Sequence, residues 1–274
     1  MWHYLNNRWV KTKDLKITAF DLAVTRGFGA FEFLRTYNKK PFRLEEHLNR
    51  FFHSLSILQM KPAKTKKEIK KIIKEGIKKN KMKDLSIRII QTGGKSDDGL
   101  IPKGKSNFIV MFSVVKIYPK KYYKQGIKLL TYPFLRRLAK AKSLDYLIGV
   151  LAVKKAKKQK AVEALYIDSE KIYEGVTSNF FAVIEEKIVT PKDNVLPGIT
   201  RQVVIEIAKK LGFLVEERDL FLKEIPNFSE AFITATTKEI MPAVVIDNLK
   251  IGDGKVGKIT KILMKEFKRL VAKY

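Results

Sequence analysis

Short apolar runs and amphipathic segments are mixed along both halves of this sequence, and that mixture constrains the fold more than any other feature. In the first half, AFEFLRTY has the composition of a strand and LEEHLNRFFHSLSIL has the periodicity of a helix. In the second half, VEALYID and FFAVIEEKIVT indicate strands, and a helix is expected from Thr200 to about Leu211. Because strands and helices do not alternate regularly, the pattern predicts a two-domain α+β fold rather than a doubly wound parallel sheet.

The segment KIYPKKYYKQG (116–126) has the composition of a crossover and marks the expected domain boundary. We therefore predict a smaller N-terminal α+β domain over residues 1–117 and a larger C-terminal α+β domain over residues 135–274. Residues 118–134 are expected to form the linker and the first strand of the second domain. A chain of 274 residues is long enough for two domains of ordinary size.

Positive charge dominates the composition, with 56 Lys and Arg against 28 Asp and Glu and a formal net charge of +28. Such a charge raises nucleic-acid binding as an alternative function. In KTKKEIKKIIKEGIKKNKMK, however, Ile69, Ile72, Ile73 and Ile77 form one helical stripe and the lysines fill the other faces. We interpret the charge as solvated surface, with nucleic acid bound only non-specifically if at all.

Several functional classes are excluded by residues that the sequence lacks. Without cysteine there is no disulfide, thiolate zinc site or cysteine nucleophile. The three histidines lack the spacing of metal ligands, so no metal site is expected. TGGKS (92–96) is not a phosphate-binding loop, because position 89 is isoleucine instead of the required glycine. Since no signal region and no long uncharged apolar stretch is present, we expect a soluble cytoplasmic protein that does not enter a membrane.

AKAKSLDYL (139–147) contains the first chemical candidate. Lys142 precedes Ser143, which has the character of an N-cap for a helix expected from Leu144. A lysine fixed at a strand-to-helix junction and partly desolvated has a lowered pKa, which a Schiff-base nucleophile needs. Lys140 and most other lysines are interpreted as surface charge.

Other candidates have both a chemical and a structural interpretation. Glu174 lies between two apolar runs and is either a functional carboxylate or part of a hairpin turn. Thr200 caps a helix whose free N–H groups suit phosphate, or is an ordinary cap. Thr236 and Thr237 suit a phosphate or the backbone of a short helix. Arg50, beside the buried stripe of the first helix, either holds an anion bidentately or is solvated.

These groups together match one kind of cofactor. A reactive amine, a carboxylate, two helix ends suited to phosphate and an anchoring arginine would serve a molecule with an aldehyde, a basic ring nitrogen and a phosphate. That molecule is pyridoxal 5'-phosphate.

Seven motifs, in this order, carry a family resemblance: GFGAFEFLRTY, HLNR, KSLDYL, YEGVTSNFF, LPGITR, TATTKEIMP and GDGKVGKITKILMKEF. With them the chain resembles the class IV (fold-type IV) pyridoxal-phosphate aminotransferases over nearly its whole length. That family includes branched-chain aminotransferases, D-amino-acid aminotransferases and aminodeoxychorismate lyases. The resemblance implies a homodimer in which each site lies between the two domains and is reached by a loop of the partner subunit.

The resemblance also implies a role for each matching residue. Lys142 would hold the cofactor as an internal aldimine and move the proton at the substrate Cα, and Glu174 would pair with the ring nitrogen. Tyr146 would hydrogen-bond the phenolic oxygen and Leu196 would pack against the ring. The phosphate would be held by Arg50, by the backbone of Ile199, by the backbone and hydroxyl of Thr200, and by Thr236.

The match is looser on the substrate side. D-amino-acid enzymes of this family trap the carboxylate with an Arg-x-His pair, whose positions here hold about Asp98 and Leu100. Arg26 and Arg88 offer an alternative clamp for the substrate carboxylate. An equal interpretation is that these two arginines form structural salt bridges. The residues predicted to contact the substrate are Arg26, Phe31, Arg88 and Thr237.

The predicted activity is amino-group transfer from an amino acid to a 2-oxo acid such as 2-oxoglutarate, both small molecules. The KSL and GDGKVG segments favour a D-amino acid such as D-alanine, whereas Tyr146 favours the alternative, a branched-chain L-amino acid. Two further alternatives are an aminodeoxychorismate lyase and a basic nucleic-acid-binding protein with a degenerate cofactor site.

Overall fold

The structure, a computed structural model, describes all 274 residues, and the chain divides into two compact units. Unit 1 comprises Met1–Lys116, Ala141–Tyr146 and Tyr274, and unit 2 comprises Ile117–Lys140 and Leu147–Lys273. The short segment Ala141–Tyr146, which contains Lys142, therefore belongs to the first unit. No helix is both long enough and apolar enough to cross a membrane.

Unit 1 contains a six-stranded antiparallel sheet. Its strands are β1 (Trp2–Leu5), β2 (Arg8–Lys11), β3 (Gly29–Tyr37), β4 (Lys40–Pro41), β5 (Leu85–Thr92) and β6 (Phe108–Val114). Their order across the sheet is β2-β1-β6-β5-β3-β4. Because side chains alternate along a strand, Ala30, Glu32 and Leu34 of β3 share one face, and Phe31 and Phe33 share the other.

Two long helices cover this sheet. The helices of unit 1 are α1 (Leu22–Thr25), α2 (Leu44–Ile57) and α3 (Lys66–Asn80). Helix α3 begins with a capping box between Thr65 and Glu68. The predicted isoleucine stripe is confirmed, because Ile69, Ile72 and Ile73 are buried and Ile77 packs against the same core.

Unit 2 is built around a ten-stranded sheet. Its strands are β7 (Ile127–Pro133), β8 (Glu163–Ile167), β9 (Lys171–Gly175), β10 (Asn179–Ile184), β11 (Lys187–Thr190), β12 (Val215–Glu217), β13 (Leu220–Phe221), β14 (Glu230–Ala235), β15 (Glu239–Ile246) and β16 (Leu249–Lys250). The order is β12-β11-β10-β14-β15-β7-β8-β9-β13, with β16 on β15. Since β9 also pairs with β10, through Glu174 and Asn179, six strands close into a barrel.

Four helices accompany this barrel-like sheet: α4 (Lys120–Gln125), α5 (Leu147–Lys158), α6 (Ile199–Lys210) and α7 (Lys258–Ala272). The apolar core of the unit includes Phe180, Phe228, Ile233 and Met241, all buried. The predicted α+β class is confirmed, and so are the strands of FFAVIEEKIVT, which are β10 and β11, and the helix near Thr200. Helices α4 and α7 are absent from the predictions above.

One helix boundary was predicted wrongly. Helix α5 begins at Leu147, and residues 144–146 are not helical. Ser143 is not an N-cap, because its backbone forms a β-bridge with Ala30. Pairing with strand β3 satisfies the backbone groups that a helix would otherwise use.

Candidate functional site

The backbone around Lys142 is fixed on both sides by the first unit. The N–H of Phe31 donates to the carbonyl of Lys142 at 2.9 Å, and the N–H of Leu144 donates to the carbonyl of Gly29 at 2.9 Å. The N–H of Lys142 donates to Oγ of Ser54, on helix α2, at 3.0 Å. Lys142 is thus held by a strand and a helix, and its side chain is half-buried.

The ring of Phe31 brings together three residues that the sequence singled out. Nζ of Lys142 lies 4.5 Å from the ring centroid, and the guanidinium carbon of Arg88 lies 5.5 Å from it. The ring of Tyr146 packs edge-on against Phe31 with the centroids 5.7 Å apart. Both cations are within the range of a cation–π interaction, so one aromatic ring positions an amine, a guanidinium and a phenol. We call these four residues the Phe31 cluster.

Arg50 is buried rather than solvated, and its partner is Glu32. The Nε and Nη2 atoms of Arg50 donate to the two oxygens of Glu32 at 2.9 and 2.6 Å. Nδ1 of His47 lies 3.0 Å from the same carboxylate. The hydroxyl of Ser54 donates to the carbonyl of Arg50 at 2.9 Å, so the helix turn that holds Lys142 also carries this arginine.

In the buried group of Glu32, Arg50 and His47, burial and the neighbouring charges have opposing effects on the pKa values. Burial alone would raise the pKa of Glu32, but Arg50 and His47 outweigh it and hold that pKa well below its usual range. Burial lowers the pKa of His47 from its ordinary value, and the positive charges of Arg50 and Lys142 act in the same direction. Glu32 is therefore a carboxylate at neutral pH and His47 is a neutral imidazole.

The contacts of Arg26 are with residues outside the Phe31 cluster. It is exposed, and its Nη1 donates to the carbonyl of Thr25 at 2.8 Å. A Cβ on Gly99 would lie 3.3 Å from its Nη2, so this arginine borders the loop after β5. In that loop Asp98 accepts hydrogen bonds from the N–H groups of Leu100 and Ile101, which makes it a turn residue.

In unit 2, Glu174 lies where β9 and β10 close the barrel. It is 3% exposed, and its Oε2 accepts the N–H of Leu196 at 2.8 Å. Its Oε1 accepts Nε of Arg136 at 3.1 Å. Leu196 is held from the other side, because Nδ2 of Asn179 donates to its carbonyl at 2.8 Å. The segment is indeed a turn, as the structural interpretation has it, and it also fixes a buried carboxylate.

The N-terminus of helix α6 has neither a side-chain cap nor an acidic residue in its first turn. Its N-cap is Gly198, so the prediction that Thr200 is the cap was wrong; Thr200 lies in the first turn and is buried. A Cβ on Gly198 would come within 1.9 Å of Oδ1 of Asn179. Glycine is therefore required for this close approach, and the N–H groups of Ile199 and Thr200 at this helix start are of the kind that suits an anion.

Thr236 and Thr237 form, with Lys238, the three-residue loop between β14 and β15. No helix begins there, so the prediction of a short helix was wrong. Strand pairing resumes at Glu239 with a φ of 54°, the left-handed conformation that follows the turn in such hairpins. On β14 beneath this loop, the hydroxyl of Thr234 is buried and has no hydrogen-bond partner.

These groups fit pyridoxal 5'-phosphate. Within unit 1 a half-buried amine lies on an aromatic ring, and within unit 2 a buried carboxylate lies beside Leu196. Unit 2 also supplies an uncapped helix N-terminus, and the orphaned hydroxyl of Thr234 on a neighbouring strand lacks the partner that a buried hydroxyl needs. The residues expected to hold the cofactor stay those predicted from the sequence.

Sequence reasoning missed several partners of these residues. Four such partners have largely buried side chains and make ion pairs: Glu32, Arg136, Glu163 and Lys238. A signal existed for Glu32, because a carboxylate between Ala30 and Leu34 on the inward face of a strand requires a buried cation. No comparable signal exists for Lys238, since the sequence contains many lysines at turns.

Comparison with known proteins gives the same assignment. The sequence matches the family model for amino-transferase class IV over residues 29–246. It is 35% identical over 280 residues to a putative branched-chain-amino-acid aminotransferase of Methanocaldococcus jannaschii, covering 99% of this chain and 96% of that protein. It is 30% identical over 274 residues to a D-alanine aminotransferase of Staphylococcus haemolyticus, covering 98% and 97%.

A solved structure agrees in fold and in cofactor. A T.th. branched-chain amino acid aminotransferase, determined with pyridoxamine 5'-phosphate, matches with a TM-score of 0.91 at 29% identity, covering 98% of this chain and 93% of that one. The family inferred from the motifs and the cofactor inferred from the residues are thereby confirmed. The chain belongs to amino-transferase class IV and is a pyridoxal-phosphate-dependent transaminase of fold type IV.

Proposed function

We propose that this transaminase takes its amino group from a D-amino acid such as D-alanine and transfers it to a 2-oxo acid such as 2-oxoglutarate. The observation that carries the proposal is the Phe31 cluster, in which one ring contacts both the amine of Lys142 and the guanidinium of Arg88. A carboxylate held by Arg88 places the Cα of a small amino acid near that amine. Arg26, which borders the loop after β5, would provide a second cation for a dicarboxylate acceptor.

Each residue has one task in this proposal. The Lys142 amine accepts and returns the proton at Cα, and the cofactor, when bound, withdraws electrons from that carbon. Glu174 would hold a proton on the ring nitrogen, Leu196 would pack on the ring and Tyr146 would donate to the phenolic oxygen. The phosphate would be held by Ile199 and Thr200 in the first turn of α6, with Thr236 and Arg50 as further ligands. Thr237 contacts the substrate.

A branched-chain L-amino acid is the second candidate donor. Tyr146 packs on Phe31 within the same cluster, and an aromatic wall of this kind suits an aliphatic side chain. The M. jannaschii relative is named a putative branched-chain enzyme, whereas the S. haemolyticus relative is named for D-alanine. Because Lys142 would move the Cα proton of either donor, the two differ in which positions their carboxylate and side chain take about Cα.

We further propose that the chain works as a homodimer. Support comes from large apolar side chains that are exposed in the isolated chain, among them Phe20, Val24, Leu100 and Ile101, at 58–73% exposure. The cytoplasmic location stays a prediction from the sequence.

The experiment is the half-reaction with purified holoprotein, followed by absorption spectroscopy. We expect D-alanine to remove the visible band of bound pyridoxal phosphate and to produce the band of pyridoxamine phosphate. Bleaching by L-leucine alone would replace the proposal with the branched-chain alternative. Holoprotein that bleaches with neither amino acid would refute both donors.

A further inference from the structure

Lys238 is a buried lysine at the tip of the β14–β15 hairpin. Its side chain is 6% exposed, and its Nζ lies 2.8 Å from Oε2 of Glu163, whose side chain is 3% exposed. Burial of two charges in this way is costly unless each has several well-placed partners. Lys238 stands at a turn, and its Nζ also lies 6.0 Å from the centroid of the Tyr118 ring.

Glu163, on β8, connects two turns through its carboxylate. Its Oε1 accepts the N–H and the hydroxyl of Thr177 at 2.6 and 2.9 Å, and its Oε2 accepts the hydroxyl of Ser178 at 3.0 Å. Nζ of Lys238 also donates to the hydroxyl of Thr177 at 2.6 Å. The turn that follows Glu174 is therefore joined to the hairpin tip by charge-assisted hydrogen bonds.

The charge of Lys238 keeps this carboxylate ionised. Burial would raise the pKa of Glu163, but Lys238 outweighs that effect, and the hydrogen bonds from Thr177 lower the pKa further. At neutral pH the pair is thus ionic, and all four acceptor contacts of Glu163 are made. The backbone of Lys238 is fixed as well, because its carbonyl accepts the hydroxyl of Tyr123 at 3.2 Å.

We propose that Lys238 and Glu163 are positioning residues for the cofactor, because they fix the two turns of unit 2 that carry its ligands. One turn begins at Glu174, and the other carries Thr236 and Thr237. This proposal rests on the roles assigned to those three residues under the proposed function. Loosening the pair lets the turns move apart and weakens cofactor binding without removing any group that touches it.

The test compares cofactor affinity with the stability of the apoprotein. The main variant is Glu163→Gln combined with Lys238→Met, which leaves no unpaired buried charge. We expect its pyridoxal-phosphate dissociation constant, from titration of the apoprotein, to rise about tenfold. The thermal midpoint of the apoprotein is expected to stay within about 4 °C of wild type. Lys255→Met, which removes an 82% exposed lysine of the same unit, should change neither quantity.

Thr177→Val provides a second, milder test. Thr177 is exposed, so the variant should fold, and it removes the hydroxyl that receives Lys238. A rise of about threefold in the dissociation constant is expected. Unchanged cofactor affinity in both variants, or an equal loss in Lys255→Met, would overturn the proposal. If the double variant does not fold, Thr177→Val alone decides. Failure of wild-type holoprotein to react with D-alanine would refute the proposed donor but would leave these affinities interpretable.

Discussion

Lys142 and Lys140 are two residues apart but differ in burial and in their contacts, which govern the reactivity of an amine. Lys142 is half-buried, its backbone is bound by Phe31 and Ser54, and its amine lies on an aromatic ring. Lys140 is exposed. A fixed and partly desolvated amine is the nucleophile that pyridoxal phosphate requires.

Lys142→Ala should therefore abolish turnover and the visible absorption band of the bound cofactor. Lys140→Ala should leave both within about twofold of wild type, because a solvated surface lysine is easily replaced. Absorption spectra and initial rates of the two variants make the comparison. Similar losses in both would contradict the role given to Lys142.

The neutral, buried His47 makes stability depend on pH. Its pKa in the folded state is lowered from the ordinary value of 6.5, so below that pH the unfolded chain binds a proton that the folded chain does not. Stability should fall as the pH decreases from 6.5, by up to about 1.4 kcal/mol per pH unit for each such histidine. His3 is buried with a lowered pKa too and adds to the slope.

The slope of unfolding free energy against pH tests the contribution of His47. Urea unfolding between about pH 5 and pH 7 should give a smaller slope for His47→Gln than for wild type, because one titrating group is removed. A His47→Gln slope equal to that of wild type would show that this imidazole does not titrate differently on folding.

At the scale of elements, α3 shows how a helix with many like charges is stabilised. Thr65 accepts the N–H of Glu68 and Glu68 accepts the N–H of Thr65, so two N-terminal donors are satisfied. The lysines of the last turn, Lys78 and Lys79, favourably oppose the helix dipole. The apolar side of the helix is buried against the sheet of unit 1.

Thr65→Ala removes this cap and should lower the free energy of unfolding by about 1 kcal/mol. Lys67→Ala, on the exposed side of the same helix, is the matched control and should change it by less than about 0.5 kcal/mol. Chemical denaturation of both variants measures the difference. Equal effects would mean that the capping box contributes nothing beyond helix propensity.

At the scale of the whole molecule, a net charge of +28 opposes compaction. Salt screens such repulsion, because the Debye length falls from about 30 Å at 0.01 M to about 3 Å at 1 M. The thermal midpoint should therefore rise over that range of NaCl. A neutral osmolyte at matched osmolality serves as the control, and a midpoint that fell with salt would show that attractive surface pairs dominate.

Much of the fold and of the site followed from local patterns. Helix α3 was predictable because isoleucines at helical spacing can be buried only on one side. Lys142, Glu174 and Arg50 were identifiable because each stands in a motif of fixed order. Helix α7 was absent from the predictions, and α5 began three residues late, because strand pairing of Ser143 with Ala30 overrode a good local cap.

The sequence by itself determined the α+β class, the family, the cofactor and the residues expected to hold it, since these depend on residue types, their order and their spacing. Only the tertiary structure decided which charges are paired. It joined Glu32 to Arg50, Arg136 to Glu174 and Lys238 to Glu163, across separations of 18, 38 and 75 residues. No local pattern encodes such a partner, because burial makes a charge require one and the fold alone determines which residue lies within reach.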